Sequence, residues 1–195
     1  HEPRRLWHRY IVLNPLFWYE DNGIRLHLGK QVTRIDRAHR RVIAADGTEA
    51  GYDRLLLATG SLPFILPVPG RDLRGVIGYR DIHDTQAMID AAKVKKHAVV
   101  IGGGLLGLEA ANGLMLRGMD VTVVHLAGWL LERQLDPVAG ALLEKSLVER
   151  GLKFRLNTST SEIVGNDAGE VAAVRFSDGS EIPADLVVMA AGIRP

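Results

Sequence analysis

No cysteine occurs among the 195 residues. That absence removes disulfide scaffolds, zinc fingers, thiolate-held iron–sulfur clusters and redox dithiols from the chemistry of this chain. It fits a reducing compartment, and the expected location is cytoplasmic. Charge of one sign is lacking too. Lys plus Arg number 24 and Asp plus Glu 23, a formal net charge of +1, so neither a nucleic-acid glove nor a polybasic membrane patch is expected. Long apolar runs are also missing. The weakly charged stretch from Ala98 to Leu116 contains Glu109, Asn112 and five glycines. Residues 55–70 are broken by Pro63, Pro67 and Pro69. A membrane helix needs about 20 consecutive apolar residues, so none is expected. There is neither an initiator Met nor a basic-then-apolar leader, and no signal peptide is expected. The 7 histidines form no H-x-x-x-H or H-x-x-E-H pattern, and no metal site is expected. Asp36, Asp53 and Asp136 show no paired-carboxylate spacing, and G-x-S-x-G does not occur.

What remains is an ordinary globular composition, 47% apolar and 24% charged. At roughly 100–200 residues per domain, the length allows one domain, or one domain with part of another. Trp7, Tyr10, Phe17, Trp18 and Tyr19 gather near one end, which suggests packing against the core or a partner surface. Asn14-Pro15 starts a short helical turn over Leu16 to Asn22. Ile24 to Leu28 alternates with period two and predicts a strand. Val32 to Asp36 and Arg41 to Ala44 predict two more, the last closed by the turn Asp46-Gly47. Leu55-Leu56-Leu57 is a continuous apolar run, the mark of a strand covered on both faces. Residues 61–80, rich in Pro and Gly, read as a linker. Asp84 to Lys95 predicts a helix capped by Asp81 or Asp84.

From residue 97 the pattern becomes β-α-β-α-β. His97 to Ile101, Val121 to Val124 and Lys153 to Leu156 are strands. Leu105 to Arg117 and Pro137 to Arg150 are helices, the second capped by Asp136, with Pro137 at its first position and Gly151 as its stop. Three β segments follow, Glu162–Val164, Val171–Phe176 and Ser180–Ile182, with Asp178-Gly179 as a hairpin turn. Leu186 to Met189 is a last buried strand. The fold class expected is therefore α/β: a Rossmann-like parallel sheet with an antiparallel β-meander insertion, preceded by a β-rich segment.

The informative segment is Ile101-Gly102-Gly103-Gly104-Leu105-Leu106-Gly107-Leu108-Glu109. Gly102, Gly104 and Gly107 fit G-x-G-x-x-G. The first glycine permits the tight turn off the strand. The second, lacking a Cβ, lets a pyrophosphate approach the backbone. The third lets the helix pack closely. The free N–H groups and the positive helix end then face the phosphate, so Gly102, Gly103, Gly104, Leu105, Leu106 and Gly107 are the expected coenzyme-binding residues. The motif follows an apolar strand, opens a helix, and precedes a second strand within about 30 residues, which is the confirming context. The bland alternative is a glycine-rich structural turn. The acidic residue that bonds the ribose 2′-hydroxyl about 20 residues on is absent; His125 stands there. A histidine does not repel a 2′-phosphate, so the sequence carries no NAD-specific lock, and His125 with Arg133 reads as tolerating or favouring NADPH. The alternative is a surface histidine without ligand contact.

Leu57-Ala58-Thr59-Gly60-Ser61, the cradle at 102–107, and Ala184 through Gly192-Ile193-Arg194-Pro195 occur in this order. In this the chain resembles the two-dinucleotide-domain flavoprotein reductases, where an FAD domain is interrupted by an NAD(P)H domain. Asn14 to Tyr19, Leu26-His27-Leu28-Gly29-Lys30, His125-Leu126 and Leu131-Glu132-Arg133-Gln134-Leu135-Asp136-Pro137 resemble, more narrowly, the large subunits of assimilatory NAD(P)H nitrite reductases. Ferredoxin and rubredoxin reductases are similar competitors. The resemblance implies hydride transfer from NAD(P)H to FAD, and electrons passing on to a siroheme/iron–sulfur module that reduces nitrite to ammonium. It implies that Thr59, Gly60 and Gly192 lie near the cofactors and that Glu109 contacts the nicotinamide carboxamide, the alternative being a first-turn acid that complements the helix dipole. It also implies a fragment. The FAD cradle, the flavin ribityl motif and the cysteine-rich module do not occur in the sequence, so residues 1–62 read as part of an FAD domain and 63–195 as an NAD(P)H-binding domain. The expected isolated chain binds NADH or NADPH weakly, holds no FAD and is not active alone, and its aromatic segment favours self-association. A non-catalytic nucleotide-binding or interaction module is the reading from outside the enzyme class.

Overall fold

The computed structural model describes residue 19 and residues 21–195. The expectations for Trp7, Tyr10, Phe17 and Trp18 lie outside the described residues. The chain divides into two compact units, residues 1–58 and 59–195.

In the first unit, β1 (Val32–Asp36), β2 (Arg41–Ala44) and β3 (Glu49–Gly51) form an antiparallel sheet in that order. β3 is too short and polar to announce itself; it forms because the Asp46-Gly47 turn folds the chain back, with Gly47 at φ 84°. Two expected strands are not formed. Residues 24–28 are irregular, with Ile24, Leu26 and Leu28 exposed. The run Leu55-Leu56-Leu57 is also irregular, and Leu56 is 88% exposed. Alternation or apolar character names a face; a strand also needs a hydrogen-bonding neighbour, and no described segment pairs with either run.

The second unit is a three-layer structure. Its centre is a parallel sheet in the order β5-β12-β6-β7-β8, made of Val76–Gly78, Leu186–Met189, His97–Ile101, Asp120–Val124 and Lys153–Arg155. Side chains alternate across it. Ala98, Val100, Val121, Val123, Leu186 and Val188 face the helix layer, where α1 (Ile82–Ala92) adds Met88 and α2 (Leu105–Met115) adds Ala110, Ala111 and Leu114. Val99, Ile101, Val187 and Met189 face the other way, onto Ile163, Val174 and Phe176 of the antiparallel sheet β9 (Thr160–Gly165), β10 (Val171–Phe176) and β11 (Glu181–Pro183). The helix α3 (Pro137–Glu149) runs between β7 and β8. Burial on both faces explains why β6 and β12 are unbroken apolar runs. The Rossmann-like sheet and its meander are thus as the sequence reads.

The expected linker 61–80 needs correction. It contains β4 (Leu62–Pro63), paired antiparallel with β13 (Ile193–Arg194), and β5, an edge strand of the parallel sheet. Three residues among prolines and glycines show no period, and β5 exists only because β12 offers a parallel ladder. Glycine matters there as well: a Cβ on Gly78 would sit 2.6 Å from Pro63 Cγ.

Candidate functional site

The carboxyl ends of β6, β7 and β12 converge on one corner. From β6 the chain goes through α2 to β7 on one side, whereas β12 lies on the other. The strand order therefore reverses at β6/β12, the place where open α/β sheets offer a ligand crevice. The two ends touch: the Ala190 N–H donates to the Ile101 carbonyl at 2.9 Å, and a Cβ on Gly102 would lie 2.3 Å from the Ala190 oxygen. Gly102 has φ 127°, a backbone that L side chains rarely adopt, and its N–H donates to the Val124 carbonyl at 2.8 Å.

The glycines of the loop are bare for different reasons. A Cβ on Gly103 would press on the His125 ring at 2.7 Å and on Leu130 at 2.9 Å. One on Gly107 would collide with the Gly102 carbonyl oxygen at 1.9 Å. One on Gly104 would meet nothing within 4 Å. Packing therefore demands glycine at 102, 103 and 107 and does not at 104. Gly104 is the N-cap of α2, with φ −82° and ψ −178°, and makes no side-chain cap. The first amides of a helix have no intrahelical acceptor, so the N–H groups of Leu105 and Leu106, with that of Gly104 beside them, stand at the open corner. Leu105 is 63% exposed. No acidic side chain occupies the first turn, and the positive helix end is left uncompensated. Residues able to hold a diphosphate are thus gathered, and the space a Cβ would fill at Gly104 is clear.

Three expectations change. The Gly103 N–H is not free for a ligand, because it donates to His125 Nδ1 at 3.1 Å. His125 is no surface residue either. It is 8% exposed, and its Nε2 lies 3.0 Å from Glu132 Oε2, so both ring nitrogens are engaged and none is left for a 2′-phosphate. Glu109 lies beyond the first turn of α2, too far along for the dipole explanation, which fades within that turn. Glu109 is exposed and acts on Tyr79, just after β5. Burial pushes the Tyr79 phenol up, and the Glu109 carboxylate pushes it the same way, against a hydrogen bond with Thr85. Tyr79 carried no signal in the sequence, since its segment read as a linker.

Arg133 is exposed, in the loop between β7 and α3. Thr59 and Gly60 are exposed and irregular, with Gly60 at φ 74°. Gly192 has φ 134°, a Cβ there would meet nothing within 4 Å, and its carbonyl accepts the Phe64 N–H at 2.9 Å. The β4–β13 pair thus brings the segments carrying Gly60 and Gly192 side by side. No group of three or more His, Asp or Glu suited to a metal occurs among the described residues. No helix among them is long and apolar enough to cross a membrane.

The family model described as pyridine nucleotide-disulphide oxidoreductase matches residues 8–195. The chain belongs to that family. Within the family it is 54% identical, over 95% of its length, to a nitrite reductase [NAD(P)H] of Bacillus subtilis, of which it covers 23%. It is 36% identical over 91% of its length to the nitrite reductase (NADH) large subunit of Escherichia coli, covering 21% of that protein. Among solved structures, a ferredoxin reductase for the CYP199A2 system of Rhodopseudomonas palustris superposes with a TM-score of 0.85 at 32% identity, over 92% of this chain and 44% of that one. The chain spans less than a quarter of the nitrite reductases and under half of the ferredoxin reductase.

Proposed function

We propose that this chain is the NAD(P)H-binding portion of a flavin-dependent reductase, and that the whole protein uses the electrons to reduce nitrite to ammonium. One observation carries the first half: α2 begins with bare, uncapped amides at the sheet's switch point, with clear space at Gly104. The likeness to nitrite reductases over nearly the whole chain supports the second.

In this reading the N–H groups of Gly104, Leu105 and Leu106 hold the coenzyme diphosphate. Gly102, Gly103 and Gly107 let strand, loop and helix approach closely enough to aim those amides. When bound, NAD(P)H supplies a hydride and FAD receives it. The chain contributes orientation: Glu109 reaches the nicotinamide carboxamide, while Thr59, Gly60 and Gly192 keep the flavin side of the corner free of bulk. Residues 1–62 belong with the FAD domain and 63–195 with the coenzyme. The sequence carries one glycine cradle, and FAD in the full-length protein is held by a second dinucleotide fold. The siroheme/iron–sulfur module is a further partner of the full-length protein.

Calorimetric titration of the chain with NADH and with NADPH tests the binding claim. Saturable binding of at least one is expected, and silence with both contradicts it. A ferredoxin reductase is the second reading, favoured by the structural likeness to the R. palustris enzyme. Assay of the full-length protein with nitrite and with ferredoxin as acceptors separates the two.

A further inference from the structure

Dinucleotide-binding sheets ordinarily place a carboxylate at the end of the second strand, where it bonds the ribose 2′-hydroxyl. Here β7 ends at Val124 and His125 follows. The histidine does not leave the position uncharged. An amide N–H can only donate, so His125 Nδ1 accepts from Gly103, the ring proton sits on Nε2, and Nε2 donates to the Glu132 carboxylate. A carboxylate is thereby carried back to the strand end from the following loop.

That loop is pinned where it must be. The Leu131 N–H donates to the Gly103 carbonyl at 3.1 Å. Leu130 is fully buried and lies where a Cβ on Gly103 would be. Leu131 takes φ 54°, uncommon for a residue other than glycine, and so turns the chain sharply just before Glu132. The carboxylate hydrogen-bonds no other group among the described residues, and its side chain is 34% exposed. It is thus held by one oxygen, and the other has no hydrogen-bond partner among the described residues.

We propose that Glu132, positioned by His125, is the coenzyme-selecting acid of this chain, accepting a hydrogen bond from the adenosine ribose 2′-hydroxyl of NADH and repelling the 2′-phosphate of NADPH. The inference rests on reading residues 102–107 as the coenzyme cradle. It reverses the preference that His125 and Arg133 suggest in the sequence. His125 has no free nitrogen to offer a phosphate, and Arg133 is exposed with no partner among the described residues to fix it.

The test is calorimetric titration of the chain with NADH and NADPH, for the wild type and for Glu132→Gln, Glu132→Asp and Arg133→Ala. Glu132→Gln keeps the shape and an acceptor for His125 while removing the charge, and circular dichroism checks that it folds. The wild type is expected to bind NADH at least about tenfold more tightly than NADPH, the scale of one charged contact. Glu132→Gln brings the ratio toward one, Glu132→Asp retains most of the preference, and Arg133→Ala leaves it unchanged. A wild type that binds NADPH as tightly as NADH overturns the proposal, as does a Glu132→Gln ratio equal to that of the wild type. So does a preference that moves with Arg133 alone. If the wild type binds neither coenzyme, the cradle reading falls together with the proposal; binding with an unmoved ratio defeats the proposal alone.

Discussion

Helices α1 and α2 both begin from an extended N-cap residue and do so with opposite chemistry. The N-cap Asp81 of α1 has φ −126° and ψ −177°, and its carboxylate accepts the N–H groups of His83 and Asp84 at 2.8 and 3.0 Å. Asp84 answers by accepting the Asp81 N–H at 3.2 Å, completing a capping box. The N-cap of α3, Asp136, does the same for Ala139 at 2.8 Å. Gly104, equally extended, gives α2 nothing. Space for a Cβ is not the reason, since one there would meet nothing within 4 Å. The lesson is that α1 and α3 are capped by their own side chains, whereas the amides opening α2 have no side-chain cap.

Breaking the close packing behind the α2 corner should have the largest effect. Gly107→Ala puts a methyl group 1.9 Å from a backbone oxygen. Such overpacking costs about 1–3 kcal/mol or more, so chemical denaturation should show a markedly less stable fold and coenzyme binding should fall with it. Gly104→Asp sharpens the comparison, because it converts α2 into a helix like α1. The new carboxylate caps bare amides at a positive helix end, which should raise stability by about 0.5–1 kcal/mol. The same carboxylate occupies and repels the phosphate position, so affinity for either coenzyme should drop at least about tenfold. Denaturation and calorimetry on one preparation give the two opposite signs; a loss of stability with binding intact would break the comparison. Asp136→Ala should cost about 0.5–2 kcal/mol of stability and leave coenzyme affinity unchanged.

The smallest effect is a difference in pH response. The Asp84 backbone N–H, above all, holds the Asp81 carboxyl below its ordinary value of 3.8, against a burial effect that raises it, and the His83 N–H adds to the lowering. A depressed acid stabilises fully above its unfolded value and loses that contribution as pH falls through its folded one. The stability that α1 draws from its cap should therefore fade below about pH 4. Asp81→Asn, which caps without titrating, should flatten that part of the melting-temperature profile. The start of α2 contributes no such dependence.

The parts of the fold legible in the sequence are those held by local rules. β6, α2 and β7 show in an apolar run, a glycine spacing and a second apolar run, and α3 shows in Asp136, Pro137 and Gly151. β5 was illegible because its three residues depend on β12, from the far end of the chain. Leu55 to Leu57 show the converse: apolar character without a pairing neighbour does not make a strand. At the candidate site, the glycine pattern was visible, but the division of labour among the glycines was not. That Gly103 spends its N–H on His125, and that Glu132 reaches His125 from seven residues on, follow from a loop whose path no periodicity encodes. Tyr79 carries no sequence signal for the same reason as β5.

The central claim is that the bare amides opening α2 receive the coenzyme diphosphate. Amide chemical shifts followed by NMR during an NADH titration test it most directly. The account expects the largest saturable changes at the N–H groups of Gly104, Leu105 and Leu106, and little movement at His83 and Asp84 of α1. Saturating coenzyme with those three amides unmoved would contradict it.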